Sequence, residues 1–388
     1  MNRATGTRTD TPVAPSTGRA TKGTMQSSTV LTVTGWSAVS PYGLGRAAYT
    51  EGVRSGRRTD TALDPAAWRV PDARACLVPG FDVRATLGKK GTRAMNRVTG
   101  LAVTAVGALA EAGGEGPGTA LVLGTTTGSL QSMMDFTRDS LTGDRPFDVD
   151  PTVIPNSVMN CAAAQCAIWH RIEGPNTTLA CGRPSGLLAL AYARRLLVNG
   201  RARAALCGAA EEYTGARSWI EHHNRGAAPA LLGEGAAVLR VELGPADGSG
   251  AHLDGAGADA SAVLALHSRM LLPGASTAEV VAGVVRQALR QAGLTPDQVW
   301  AGVPSGLCPA EGEGLAAVVG PEALRQVPLT SGLLGDTGAA SAAFQLATAL
   351  AMAGQAPGRI AVVTSVDGDG MVAAAVLRLA RELQEVPA

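Results

Sequence analysis

Lysine is almost missing from this chain: of its 33 basic residues, only Lys22, Lys89 and Lys90 are lysines. Histidine is scarce too, with five residues, and none follows His267. Beyond that point the sequence offers no imidazole and no amine as an acid or base near neutral pH. Aromatic residues make up 3% of the 388 positions, so Ala and Gly must fill much of the interior and bring helices and strands close together. No run of about 20 apolar residues is present, which excludes a membrane-spanning helix. Positive charge is not in excess: the net charge is +1, without a basic stripe interleaved with aromatics, so nucleic acid is not an expected partner. Cys76, Cys161, Cys166, Cys181, Cys207 and Cys308 show no CxxC pair and no disulfide-framework spacing. In their apolar contexts they read as reduced, mostly buried thiols, and the N-terminus lacks the plan of a secretory signal, so the expected location is cytoplasmic. His170, His222 and His223 lack ligand spacing with Cys or carboxylates, so no metal is expected; "HH" followed by "NRG" reads as a solvated loop. "GTTTG" and "GDTGAA" lack the P-loop lysine, and no nucleotide or other cofactor is expected.

What is there is apolar: 46% of residues are hydrophobic and 17% charged, enough for a sizeable core. Residues 1–27 are rich in Thr, Arg, Gly and Pro without apolar period and read as a disordered lead-in, with Met25 a candidate natural start. From residue 28 strands and helices alternate. "TALVLGTTTG", "NTTLACG", "ARAALCGAAEE" and "GAAVLRVEL" read as strands. "RAMNRVTGLAVTAVGALAEAG", "SLQSMMDFTRDSL" and "PSGLLALAYARRLLVNG" read as helices, and "PNSVMNCAAAQCAIWHRI" as a buried one. Residues 246–259, "ADGSGAHLDGAGAD", form a Gly/Asp-rich linker that divides a first half, 28–245, from a second, 260–388. The second half repeats the β and α make-up of the first without sequence repetition. The whole reads as an α/β fold with buried sheets and an internal duplication.

Several stretches match one family in order. "VTGWSAVSPYGLG" resembles the opening "VTG-G-VSP-G" of β-ketoacyl synthases. Gly174-Pro175 and the strand running to Ser185-Gly186 resemble the segment bearing their nucleophile. "LCGAAEE" with "GEGAAVLRVE" resembles "GGAE…GEGA-VLVLE", and "LLGDTGAASA" resembles the "LLGAAGA" loop and helix. The resemblance spans residues 30 to 380 and identifies the chain with the thiolase-like superfamily. It implies two βαβαβαββ halves packed as five layers, αβαβα, usually in a dimer.

In active members of that family a Cys attacks an acyl thioester, two His stabilise the enolate and its oxyanion, and a Lys supports them. Both His and the Lys belong to the C-terminal half, where this chain has none after His267. Aligned on the motifs, the nucleophile position falls on Arg183, with Cys181 two residues upstream. The first His position falls on Val303, the Lys on Val327, the second His on Gly332 and a supporting Glu on Ser341. This pattern resembles the chain length factor of type II polyketide synthases, in which the nucleophile is replaced, commonly by Gln; Arg183 departs from that. The resemblance implies a catalytically silent subunit that pairs with an active ketosynthase and shapes the tunnel in which a polyketide grows on acyl carrier protein. The phosphopantetheine would belong to that carrier.

Alternatives stay open at single residues. Cys181 is either a buried or interface residue, or the nucleophile of a stand-alone acyltransferase, hydrolase or condensing enzyme. Arg183, a cation opposed to a helix N-terminus, either pairs internally or plugs the site and meets thioester or carrier groups. Leu130, Met133, Met134 and Thr137 share one helical face and are either core or tunnel floor. Arg194, Arg195, Arg201 and Arg203 are solvated surface or a contact for an acidic carrier.

Overall fold

The computed structural model describes residues 29–93, 95–110, 116–225, 231–245 and 260–380. The lead-in expected over 1–27 and the linker expected over 246–259 lie outside the described residues. Nine strands build the sheet: β1 (Thr29–Ser40), β2 (Thr119–Gly124), β3 (Asn176–Leu179), β4 (Ala204–Glu211), β5 (Gly235–Pro245), β6 (Ser261–Met270), β7 (Val299–Val303), β8 (Ile360–Val366) and β9 (Met371–Arg378). Their order is β7-β8-β9-β6-β1-β5-β4-β2-β3, and a two-residue strand, Gly43–Leu44, folds back on β1.

The duplication is visible in this order. Outward from the β1/β6 seam, where Leu31 faces Val263, the first strand of each half pairs antiparallel with its last. Next come β4 and β8, each antiparallel to that last strand, and then β2 and β7, each parallel to its neighbour. The first half carries one strand more, β3, parallel to β2 and at the open end of the sheet.

Helices complete the layers. The outer face of the first half is covered by α2 (Arg97–Gly107) and α4 (Cys161–His170), which share a core cluster with Leu121 and Leu123 of β2. The outer face of the second half is covered by α7 (Thr277–Ala292) and α8 (Pro309–Val319), packed on Val362 and Val366 of β8. Between the two halves lie α5 (Ser185–Val198) and α9 (Ser341–Ala351), against Ala120, Val122, Ala361 and Val363. Alternate residues of one strand thus point to the outer and the central layers, as the two-residue period of a strand requires. The result is the five-layer αβαβα arrangement.

The central layer explains the composition. Every residue of α9 is buried: apolar side chains stand on all sides of it, together with the hydrogen-bonded Ser341, Gln345 and Thr348. Its neighbour α5 presents Gly186 to the Ala343 backbone, where an added Cβ would lie 2.5 Å from the amide nitrogen. The rare aromatics gather here too: Tyr49 of α1 (Gly45–Ser55) stacks on Phe344 at 5.6 Å, and its hydroxyl donates to the Phe344 carbonyl. As read from the sequence, α5 begins beside Pro184 and ends at Asn199-Gly200, with Gly200 at a φ of 65°.

Two local readings need correction. The helix read as buried over 155–172 is confined to Cys161–His170, because Pro155 sits in a 3-10 turn and Val158 is extended. Its Ile168 is exposed. His222 and His223 lie on α6 (Gly215–Arg225), not in a loop, in ring contact with the half-exposed Trp219.

The close approach of α5 and α9 has a measurable consequence. Gly186→Ala is expected to lower stability by about 1–3 kcal/mol through overpacking against backbone. Gly283→Ala, in the middle of α7 with open space around its Cβ position, should instead raise it by up to about 1 kcal/mol. Thermal melts of the two variants check both signs.

Candidate functional site

The corner between β3 and α5 is built by short-range hydrogen bonds. The Ser185 hydroxyl accepts from the Cys181 N–H at 3.1 Å and donates to the Gly182 carbonyl at 2.6 Å. Gly182 has a φ of 61°, and a Cβ there would lie 2.0 Å from the Asp367 carboxylate. Only glycine fits this turn. Cys181 is half-buried, and burial, with the Asp367 charge added, pushes its thiol above the ordinary range. That environment disfavours the thiolate on which nucleophilic attack depends.

Arg183 is held from three sides by the second half. Its N–H donates to Asp367 Oδ1 at 2.9 Å, its carbonyl accepts from the Ala342 N–H at 3.2 Å, and its Nη2 donates to Asp336 Oδ2 at 2.7 Å. Asp336 is itself fixed: its Oδ1 accepts from the Gly338 N–H, and its carbonyl accepts from Arg217 Nη2 and the Gly233 N–H. Burial opposes the charge on Asp336, but the field and hydrogen bond of Arg183, aided by Arg217, outweigh it and hold the carboxyl below its usual range. Side-chain exposures of 27% for Arg183 and 7% for Asp336 make this a largely desolvated pair. A cation beside the N-terminus of α5 opposes the helix dipole, and Asp336 supplies the compensating charge.

The other positions that the resemblance assigns to the catalytic set are apolar or small. Val303, at the end of β7, and Val327 are buried in the central cluster. The Val303 carbonyl accepts from Gln345 Nε2 of α9 at 2.8 Å. Gly332 lies in a single helical turn, Thr330–Leu334, with open space where a Cβ would stand. Ser341 opens α9, its hydroxyl paired with Thr337. Close by, Glu311 is fully buried; it accepts from the Ser305 N–H and hydroxyl and from Thr364 Oγ1, and burial pushes its carboxyl up to about 7. Glu212, at the end of β4, accepts from the Val98 N–H and the Ser129 hydroxyl, and burial likewise raises it to about 7.

Asp336 and Asp367 were not singled out from the sequence. The signal for Asp336 was present: "LLGDTGAASA" carries Asp where the resembled "LLGAAGA" loop carries Ala. Asp367 follows β8 in a hairpin turn, and nothing in "SVDGDG" distinguishes it from an ordinary turn residue.

The Met/Leu stripe lies on α3 (Leu130–Thr142), capped by Ser129. No residue of α3 is buried, so the stripe is not core in this chain: Leu130 and Met133 are half-buried, while Met134 and Thr137 are exposed. Leu141, Phe147, Ile154, Val158 and Met159 extend the exposed apolar surface. The four arginines Arg194, Arg195, Arg201 and Arg203 are exposed. Among the described residues no group of three or more His, Cys, Asp and Glu is arranged to hold a metal, and no helix is long and apolar enough to cross a membrane.

The family model for the N-terminal domain of β-ketoacyl synthase matches residues 29–239. The 3-oxoacyl-[acyl-carrier-protein] synthase 2 of Vibrio cholerae serotype O1 is 27% identical over 144 residues, which cover 36% of this chain and 34% of the relative. The chain thus matches about a third of that relative's length. Among solved structures, the ishigamide ketosynthase/chain length factor is 44% identical with a TM-score of 0.83, over 90% of this chain and 99% of the other. A type II PKS acyl-carrier protein in complex with its ketosynthase bound to the hexaketide gives 0.72 at 16% identity, over 90% and 99%. That second likeness is one of fold alone.

Two buried carboxyls give the site a pH signature. Between about pH 4.5 and 7 the folded chain keeps protons on Glu212 and Glu311 that the unfolded chain releases. Their contribution is therefore complete below about pH 4.5 and is lost as pH rises through about 7. The Glu311→Gln variant, with a neutral side chain at every pH, should show a flatter decline in melting temperature from pH 5 to pH 8 than the parent chain.

Proposed function

Because the chain belongs to the β-ketoacyl synthase family, we propose that it is a ketosynthase-like subunit without a condensing centre of its own. It pairs with an active ketosynthase as the chain length factor of a type II polyketide synthase. The observation that carries this reading is the state of the nucleophile corner. Strand, turn and helix are kept, but the nucleophile position holds a guanidinium bound to a buried carboxylate. A guanidinium stays protonated and has no lone pair for attack on a thioester. Neither histidine nor lysine stands at the positions of the family's two His and Lys, which Val303, Gly332 and Val327 occupy. The partner supplies the thiolate and the groups that stabilise the enolate during decarboxylative condensation on acyl carrier protein.

The surface supports a partner on one particular side. Among the described residues no strand pairs with the outer edge of β3. The segment from α3 to α4, which reaches β3 through α4, exposes Met134, Leu141, Phe147, Ile154, Val158 and Met159. Exposed apolar surface of that extent marks a protein interface. On this reading Leu130, Met133, Met134 and Thr137 face the shared tunnel, where flexible Met side chains adapt to a growing apolar chain.

Incubating radiolabelled malonyl carrier protein with this chain alone, and with an active type II ketosynthase from the same source, tests the proposal. The lone chain should remain unlabelled. The two proteins should co-purify one to one, and Cys181→Ser should leave product formation within about twofold of the parent. Labelling of the lone chain that Cys181→Ser abolishes would overturn the proposal in favour of a stand-alone acyltransferase. Exchanging Met133 and Met134 for Ala or Phe should shift product length while the complex stays intact; unchanged length would remove the stripe from the tunnel.

A further inference from the structure

The hydrogen bonds around Arg183 join two parts of the molecule with different roles. On one side is β3, the open edge of the sheet, followed directly by the turn 180–184. On the other are two loops of the second half: the turn after the Thr330–Leu334 helix, carrying Asp336, and the β8–β9 hairpin, carrying Asp367. Asp367 Oδ1 accepts from the Arg183 N–H, while its Oδ2 accepts from the Asp369 N–H within the hairpin. Asp336 Oδ2 takes the guanidinium, and its Oδ1 takes the Gly338 N–H. Each carboxylate thus bonds its own loop with one oxygen and residue 183 with the other. Gly182 admits no side chain because Asp367 occupies the space.

We propose that Arg183, Asp336 and Asp367 form a charged clamp that fixes the exit of the edge strand Asn176–Leu179 against the second half and so sets that strand for pairing with the partner subunit. The former nucleophile position is then a positioning site for the interface. This inference rests on the pairing proposed above. β3 has only four residues and is bonded to the sheet along one side, through β2. Its placement therefore depends on its ends, and the clamp holds the end nearest the lost catalytic centre. An added strand gains main-chain hydrogen bonds only when the receiving edge is held in register.

Neutralising one member of the ion pair leaves the other as an uncompensated, desolvated charge; neutralising both removes the charges and the side-chain arm of the clamp together, while Asp367 keeps the backbone N–H of residue 183. Stability and positioning can therefore be separated. Asp336→Asn and Arg183→Gln should each lower the melting temperature and weaken binding of the ketosynthase partner by about tenfold or more. The double variant Arg183→Gln/Asp336→Asn should recover most of the melting temperature and keep the weakened binding. Recovery of binding along with stability would overturn the clamp and leave an ion pair of purely structural value; so would unchanged binding in all three variants.

Amide hydrogen exchange on the lone chain needs no partner and tests the clamp apart from the proposed function. In the double variant, amides of residues 177–183 should exchange at least about fivefold faster than in the parent, with strand Ala204–Glu211 unchanged. Equal rates at 177–183 overturn the clamp even if pairing is observed. Failure of the parent chain to bind any ketosynthase, with faster exchange still seen in the variant, overturns the pairing and with it the use assigned to the clamp.

Discussion

The ion pair between Arg183 and Asp336 is the interaction on which the site depends. It joins a turn of the first half to a loop of the second across the central layer, and both partners are largely out of water. The carboxylate and the residues around the pair are fixed by further groups, while the guanidinium is met by Asp336 and its Nε is buried without a hydrogen-bond partner. The Asp336 carboxylate accepts a backbone N–H, Arg217 binds the Asp336 carbonyl, and Asp367 takes the Arg183 backbone. Removing either partner would leave a bare charge in a space designed around small side chains. A cysteine thiol at residue 183 could not satisfy Asp336 as a guanidinium does. The two positions therefore have to be understood together, as one arrangement of guanidinium and carboxylate.

Around this pair the interior is made of close approaches. With few aromatics, α5 and α9 meet through Gly186 and Ala343, and α9 contributes both the Ala342 N–H that binds the Arg183 carbonyl and the Gln345 amide that binds Val303. One buried helix thus bonds both Arg183 and Val303. Thr364 and Glu311 stand on the outer side of β8 and continue the buried polar chain toward α8. The site is polar in its frame, while Val303 and Val327 are apolar and buried.

Much of this was legible in the sequence. Alternating apolar segments gave the class of fold, and the lack of His after His267 and of Lys after Lys90 is what the expectation of a silent subunit rests on. Motif spacing located Arg183. Its partner was legible in principle, since Asp336 interrupts an otherwise matching loop, but Asp367 was not: it lies 184 positions away and meets Arg183 only because the hairpin folds over the turn. The helix read over 155–172 was too long because apolar periodicity outweighed Pro155. The exposure of α3 was also beyond reach, since a Met/Leu stripe has the same spacing whether it faces its own core or a partner.

The two halves are not equivalent at their outer ends. Among the described residues the first ends in β3, a short strand paired along one side, and the second ends in β7, against which the short helical segment Pro321–Arg325 packs. The duplication is thus incomplete by one strand, and the two ends of the sheet are differently dressed. On the proposed pairing an added strand would continue the sheet at β3, and each molecule would then have no second edge of that kind, so addition would stop after one partner instead of running on into a fibre.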